Sequence, residues 1–172
     1  ALTQLEKMKA YPFDSANNLY LKGLLYLNTQ QPERALAIFR HCLRLSPDHW
    51  QYLREIGISL SQLGHHRQAF WFFRRAEAHH PRQPELLIWL AANRAVISNI
   101  LDAKTYVSRW ILTVGIDNIE SRIDAQETDP MSLPLPYDLI IPLITDMISE
   151  KSEQYQHTAY RLKRLGNQNA RD

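Results

Sequence analysis

Apolar residues recur along most of the chain at spacings of three and four, in blocks broken by proline, glycine and polar residues, and β-branched alternation is scarce. That period belongs to helices, so no large sheet is expected. The blocks predict a short helix at 2–10 and then three helix pairs, at 16–29/32–45, 50–63/66–79 and 84–97/100–113. The breaks have local causes. Pro47 and Pro81 stop the second helix of a pair, because proline has no N–H and disfavours helical geometry in the residue before it. Gln31-Pro32-Glu33 restarts a helix with proline in its first turn and an acid near its positive end. Gly64 marks the end of a helix at Leu63.

Past residue 115 the pattern changes. Ile116, Ile119 and Ile123 predict a short amphipathic helix over 116–126. The stretch ETDPMSLPLP, with Pro130, Pro134 and Pro136 among apolar residues, predicts an extended, polyproline-like strap. A long helix follows, with Asp138 expected as its N-cap and Pro142 tolerated near the first turn. Ile140, Ile144, Met147, Lys151, Tyr155, Thr158, Leu162 and Leu165 share one face, about 40 Å long if the helix reaches 165. The half up to Ile148 is apolar and is expected to cap the preceding helices. The half carrying Glu150, Lys151, Glu153, His157, Arg161, Lys163 and Arg164 is polar and is free to project or to bind elsewhere. Residues 166–172 read as a frayed end.

A 34-residue period underlies the helix pairs. Adding 34 to Gly23, Tyr26, Ala35, Phe39, Cys42 and Pro47 gives Gly57, Leu60, Ala69, Phe73, Ala76 and Pro81, four of them identical. A second step gives Ala91, Arg94, Ala103, Val107, Trp110 and Gly115, where only the alanine persists. Small residues let paired helices approach, and Phe39 and Phe73 fill the space between repeats. The pattern over 16–117 resembles the tetratricopeptide repeat, with Leu19, Leu53 and Leu87 in place of the usual large aromatic. The expected fold is all-α: a right-handed superhelix of about three helix pairs with an N-terminal helix and C-terminal capping helices. The divisions are 1–15, the repeats 16–49, 50–83 and 84–117, and 118–172. Trp110, where the earlier repeats carry Cys42 and Ala76, implies that the last repeat packs on something other than another repeat.

The resemblance implies a concave surface lined by the first helix of each pair, and a peptide or helix of a partner protein bound there. By register that lining takes in Asn17, Tyr20, Leu24, Leu27 and Asn28, then Gln51, Arg54, Ile58, Ser61 and Gln62, then Glu85, Ile88, Ala92, Ala95 and Val96. The bland alternative is that Leu24, Ile58, Ala92 and Val96 only pack against neighbouring helices. The Lys/Asn/Arg clamp by which some members of the family take the acidic C-terminus of heat-shock chaperones is absent; Tyr20, Leu24, Glu55, Glu85 and Trp89 stand in those places. The run from Ile38 to Gln68 is similar to the middle of small secretion chaperones, notably of the bacterial type III kind. The leading expectation is therefore an adaptor or chaperone module. The alternative is a structural component of a multiprotein assembly, binding through its convex face or its C-terminal helix, to a membrane-associated complex or a second copy.

Charge and composition sharpen this. The 172 residues are 45% hydrophobic and 22% charged, which suits one soluble globular domain. Net charge is only +2 but segregated: residues 1–116 hold 14 Lys and Arg against 8 Asp and Glu, residues 117–153 hold 2 against 9, and the tail holds 4 against 1. Either the acidic block meets the basic one or the basic part meets an acidic partner. Nucleic acid is a weak third choice, since no recognition motif accompanies the charge. No apolar run reaches 18 residues and the first 30 lack a secretory leader, so a cytoplasmic protein without a membrane span is expected. With one cysteine no internal disulfide forms, and Cys42 falls in a packing slot. His65-His66 and His79-His80 lie at opposite ends of one helix, about 20 Å apart, so they do not share an ion. Trp71 and Phe72, beside Arg74 and Arg75, are candidates for exposed aromatics on the convex side, while Phe73 is core by register. Without a phosphate loop, paired carboxylates or a nucleophile motif, no enzyme, cofactor or small-molecule substrate is expected.

Overall fold

Helices account for almost all of the described part of the computed structural model, which is residues 16–115, 118–119 and 137–149. The first compact unit is Ala1–His79 and the second His80–Asp172. In the first, α1 (Ala16–Asn28), α2 (Pro32–Leu45), α3 (Trp50–Gln62) and α4 (His66–His79) each pack on the next, and α1 also touches α3. In the second, α5 (Pro84–Val96) packs on α6 (Ile100–Val114), and α7 (Tyr137–Ser149) lies against both. All six paired helices fall within a residue of their predicted bounds. The predicted helix at 2–10, the Pro-rich strap and the continuation of the last helix beyond Ser149 lie outside the described residues.

The repeat period is a packing period. Ala35, Ala69 and Ala103 are all fully buried, as are Phe39 and Phe73. A Cβ added at Gly23 would sit 2.5 Å from Cε1 of Phe39, and one at Gly57 2.6 Å from Cε1 of Phe73, so each ring lies directly on the backbone of the helix it pairs with. The third pair reaches the same geometry with other residues. Ala91 supplies the Cβ that the glycines lack, Val107 replaces the ring, and both are fully buried. One methyl is gained on one helix and a ring is reduced to an isopropyl group on the other, so the two changes offset each other in part. In the first unit, Leu19, Cys42 and Tyr52 form one cluster from α1, α2 and α3, with Tyr20, Ile38 and Leu43 packed against it.

A second repeated feature is backbone alone. Gln30, Gly64 and Ser98, each 34 residues from the next, have φ of 56°, 77° and 61°. In each case the following residue donates its N–H to a carbonyl five residues back: Gln31 to Tyr26 (2.8 Å), His65 to Leu60 (2.8 Å) and Asn99 to Arg94 (2.9 Å). The residue at positive φ itself bonds three back, completing a left-handed helix stop. Only the second repeat places glycine there. The third repeat adds a cap in which Asn99 accepts from the N–H of Asp102 at 3.2 Å and donates to its carboxylate at 2.9 Å.

The cap predicted for the third repeat is present. Ile140, Ile141, Leu143, Ile144 and Ile148 of α7 are buried, and so is Trp110 of α6. Of the segment 116–126 only Asn118 and Ile119 are described; Ile119 is fully buried and Asn118 donates to the Val114 carbonyl. Asp138 is the second residue of α7 rather than the residue before it, so the expected N-cap position is displaced. Pro142 sits on the exposed side and removes one internal hydrogen bond from the helix.

Candidate protein-binding surfaces

On the first-helix side of the first unit, α1 and α3 meet through one polar cluster. Tyr20 Oη donates to Glu55 Oε1 at 3.2 Å. Arg54 donates to the same oxygen from Nε (2.9 Å) and Nη2 (2.5 Å), and its guanidinium lies 5.2 Å from the centre of the Trp50 ring. The Glu55 side chain is 3% exposed and that of Arg54 21%. Burial, and after it the Glu55 charge, pushes the Tyr20 phenol up to about 12, so it stays a protonated donor. A carboxylate this deep is tolerable only because a cation and a hydroxyl both serve it. Tyr20 and Arg54 occupy the same register position one repeat apart.

The predicted lining residues separate accordingly. Tyr20 and Arg54 are brought together, bridged by Glu55. Asn17 and Asn28 are exposed, while Leu24, Gln51, Ile58 and Gln62 are half-buried. Leu27 is in the interior, 3% exposed. In the second unit Glu85 is exposed and Ile88 is 2% exposed, so neither Leu27 nor Ile88 offers side-chain surface. Pattern reading missed the roles of Glu55 and Trp50. An acid directly after an arginine, one repeat beyond a tyrosine, was the available signal.

The outward side of the second helices is different in kind. In α2 and α4 the same register positions face water: 33 and 67, 34 and 68, 37 and 71, 40 and 74, 44 and 78. Trp71 is 55% exposed, as its neighbourhood in the sequence implied, while Phe73 is fully buried. Phe72 meets the Trp71 ring edge-on at 5.0 Å, and the Arg75 guanidinium lies 5.0 Å from its centre. An aromatic held in this way keeps its rotamer before any partner arrives, which lowers the entropy cost of binding. The matching positions of α6 carry Leu101 and Leu112, 79% and 76% exposed.

Little here supports bond-making chemistry. Among the described residues no group of three or more His, Cys, Asp or Glu is placed to hold a metal. Cys42 is buried, and desolvation raises its thiol, which disfavours the reactive thiolate. His79 Nε2 lies 3.9 Å from Asp48 Oδ1, a long, exposed contact worth little. No described helix is long and apolar enough to cross a membrane.

Residues 16–49 match the family model of the tetratricopeptide repeat. The fold is the tetratricopeptide one. A crystal structure of MamA superposes on it with a TM-score of 0.60 at 14% identity, covering 88% of this chain and 86% of that one. A structure of MamA AMB-1 gives 0.54 at 19%, covering 62% and 58%, and a MamA mutant 0.54 at 18%, covering 59% and 57%. This chain thus spans less than two thirds of the latter two. No curated protein matches it in sequence. At such identities the tetratricopeptide likeness is one of fold, and partners have to be read from this chain's own surfaces.

Proposed function

We propose that the chain is a non-enzymatic component of a multiprotein assembly, a cytoplasmic one that gathers at a membrane-associated complex, and that it joins this assembly through the outward face of α2 and α4. The observation that carries the reading is the exposed Trp71, fixed by Phe72 and Arg75. Tryptophan and arginine dominate binding energy at protein interfaces. The apolar side of α7 is a weaker candidate, because its isoleucines are already buried. Affinity capture from the native host, comparing wild type with Trp71→Ala, tests the proposal. Loss of a partner with helicity unchanged supports it, and an unchanged set of partners defeats it.

A second reading, an adaptor or secretion-type chaperone holding a client on the first-helix side, draws on the half-buried Leu24 and Ile58. Ile58→Asp separates the two readings, since only a client bound on that side would be released by it. Arg54 is unsuitable as a probe there: replacing it strands the buried Glu55 and damages the fold.

A further inference from the structure

We propose that the arginine-rich outward face of α2 and α4 docks the acidic segment 117–136 of a second copy, joining copies head to tail. This rests on the assembly reading above and names its partner. The two helices carry six arginines, at 34, 40, 44, 67, 74 and 75, against Glu33 and a buried Glu77 that already pairs with Arg74 at 2.8 Å. Arg40, Arg44 and Arg67 are exposed, and they flank the exposed Trp71 in the shared register.

The chain itself contains the complement. Segment 117–136 has five acids, Asp117, Glu120, Asp124, Glu127 and Asp129, against the single Arg122. Arginine forks match carboxylates in planar pairs, and this face uses arginine to the exclusion of lysine. Directly after the acids comes Pro130-Met131-Ser132-Leu133-Pro134-Leu135-Pro136. Proline-rich, apolar stretches dock on aromatic surfaces, and Trp71 with Phe72 supplies one beside the cations. Acid followed by proline and leucine on the segment thus answers arginine beside tryptophan on the face.

Such a contact uses two different patches, so it is heterologous and propagates unless its rotation closes a ring. A nucleic acid partner fits less well. The acidic block of the same chain, with five acids against one arginine over 117–136, repels a polyanion.

Cross-complementation decides the matter. One variant reverses the face (Arg40→Glu, Arg44→Glu and Arg67→Glu), the other the segment (Glu120→Lys, Asp124→Lys and Glu127→Lys). In sedimentation velocity at about 50 mM salt, wild type should form assemblies that weaken about tenfold or more as salt screens the contact. Each variant alone should be monomeric, and an equimolar mixture should assemble again, because the native face meets the native segment and the reversed segment meets the reversed face. Glutamine versions of the face variant, with helicity checked by circular dichroism, guard against misfolding. Wild type that stays monomeric at about 200 µM overturns the proposal. So do a mixture that stays monomeric and a variant that still assembles alone. Wild type that is monomeric but binds duplex DNA or phosphatidylserine vesicles through the same arginines also overturns it, in favour of a polyanion. The assembly reading survives any of these if Trp71→Ala still releases its captured partner, and falls only if that capture is unaffected.

Discussion

The first two repeats and the third reach one backbone by different side chains. In the first two, glycine faces phenylalanine; in the third, Ala91 faces Val107. At the register position shared by Tyr20 and Arg54 the third repeat has the buried Ile88, and where the second has Glu55 the third has Trp89. Outward, the first two present arginines and a tryptophan, the third Leu101 and Leu112. Helix-pair geometry is therefore kept by changes that partly offset each other across the pair and by shared backbone stops, and the residue type at any one position is free to vary.

The sharpest way to break the contrast is at the buried ion pair. Arg54→Ile should destabilise the first unit by about 3 kcal/mol, because it leaves the Glu55 carboxylate buried beside only the Tyr20 hydroxyl. Adding Glu55→Leu, which makes the site apolar as in the third repeat, should recover most of that loss in urea denaturation. If the double variant is no better than the single one, packing around Arg54 and not the stranded charge is what matters.

Next in size is the exchange of glycine and ring. Gly57→Ala should cost about 2 kcal/mol by pushing on Phe73, and Phe73→Val about 2 kcal/mol by emptying space. Together they reproduce the Ala91/Val107 pair, so the double variant should lose clearly less than the sum, with a coupling of about 1 kcal/mol or more. Strict additivity would show that the two positions do not compensate each other.

These pairs also explain how much was legible. Helix bounds came through because proline, glycine and apolar spacing act locally, within a turn or two of where they stand. The third repeat was readable by period and by Ala103 alone, since compensating volumes change both residues and leave no identity to match. Capping by the helix near 140 was foreseeable from Trp110, which is too large for the slot that Cys42 and Ala76 fill. Burial of Leu27 and Ile88 was not, because register places a residue on a helix face and does not say what covers it. The Tyr20–Arg54–Glu55 cluster joins positions 34 and 35 apart, which only the packed structure brings within hydrogen-bond reach.

The same cluster predicts a pH dependence. Tyr20 has an ordinary value of 10.0 in the unfolded chain and about 12 in the fold, so its contribution to stability is complete below pH 10. Between pH 10 and 12 the unfolded chain loses this proton and the folded chain keeps it, so stability falls as pH rises. The urea midpoint of wild type should drop more steeply over that window than that of Tyr20→Phe. Equal slopes would mean that the phenol is solvated in the fold.

The smallest effect concerns the helix stop that all three repeats share. Gln30 and Ser98 hold positive φ without being glycine, and Gly64 holds it with glycine. A side chain in that region crowds its own carbonyl, which costs about 1 kcal/mol. Ser98→Gly and Gln30→Gly should therefore each stabilise the protein by about 0.5 kcal/mol, the relief of strain being partly offset by the greater freedom of glycine in the unfolded chain. Gly64→Ala should destabilise it by about 1 kcal/mol. Nothing lies within 4 Å of a Cβ built at Gly64, so no steric clash with a neighbour enters that figure. Opposite signs at equivalent positions would establish that the stop is a backbone device common to all repeats. A loss at Ser98 would instead assign its side chain a part in holding the third repeat, and the contrast between the repeats would then extend to the turn.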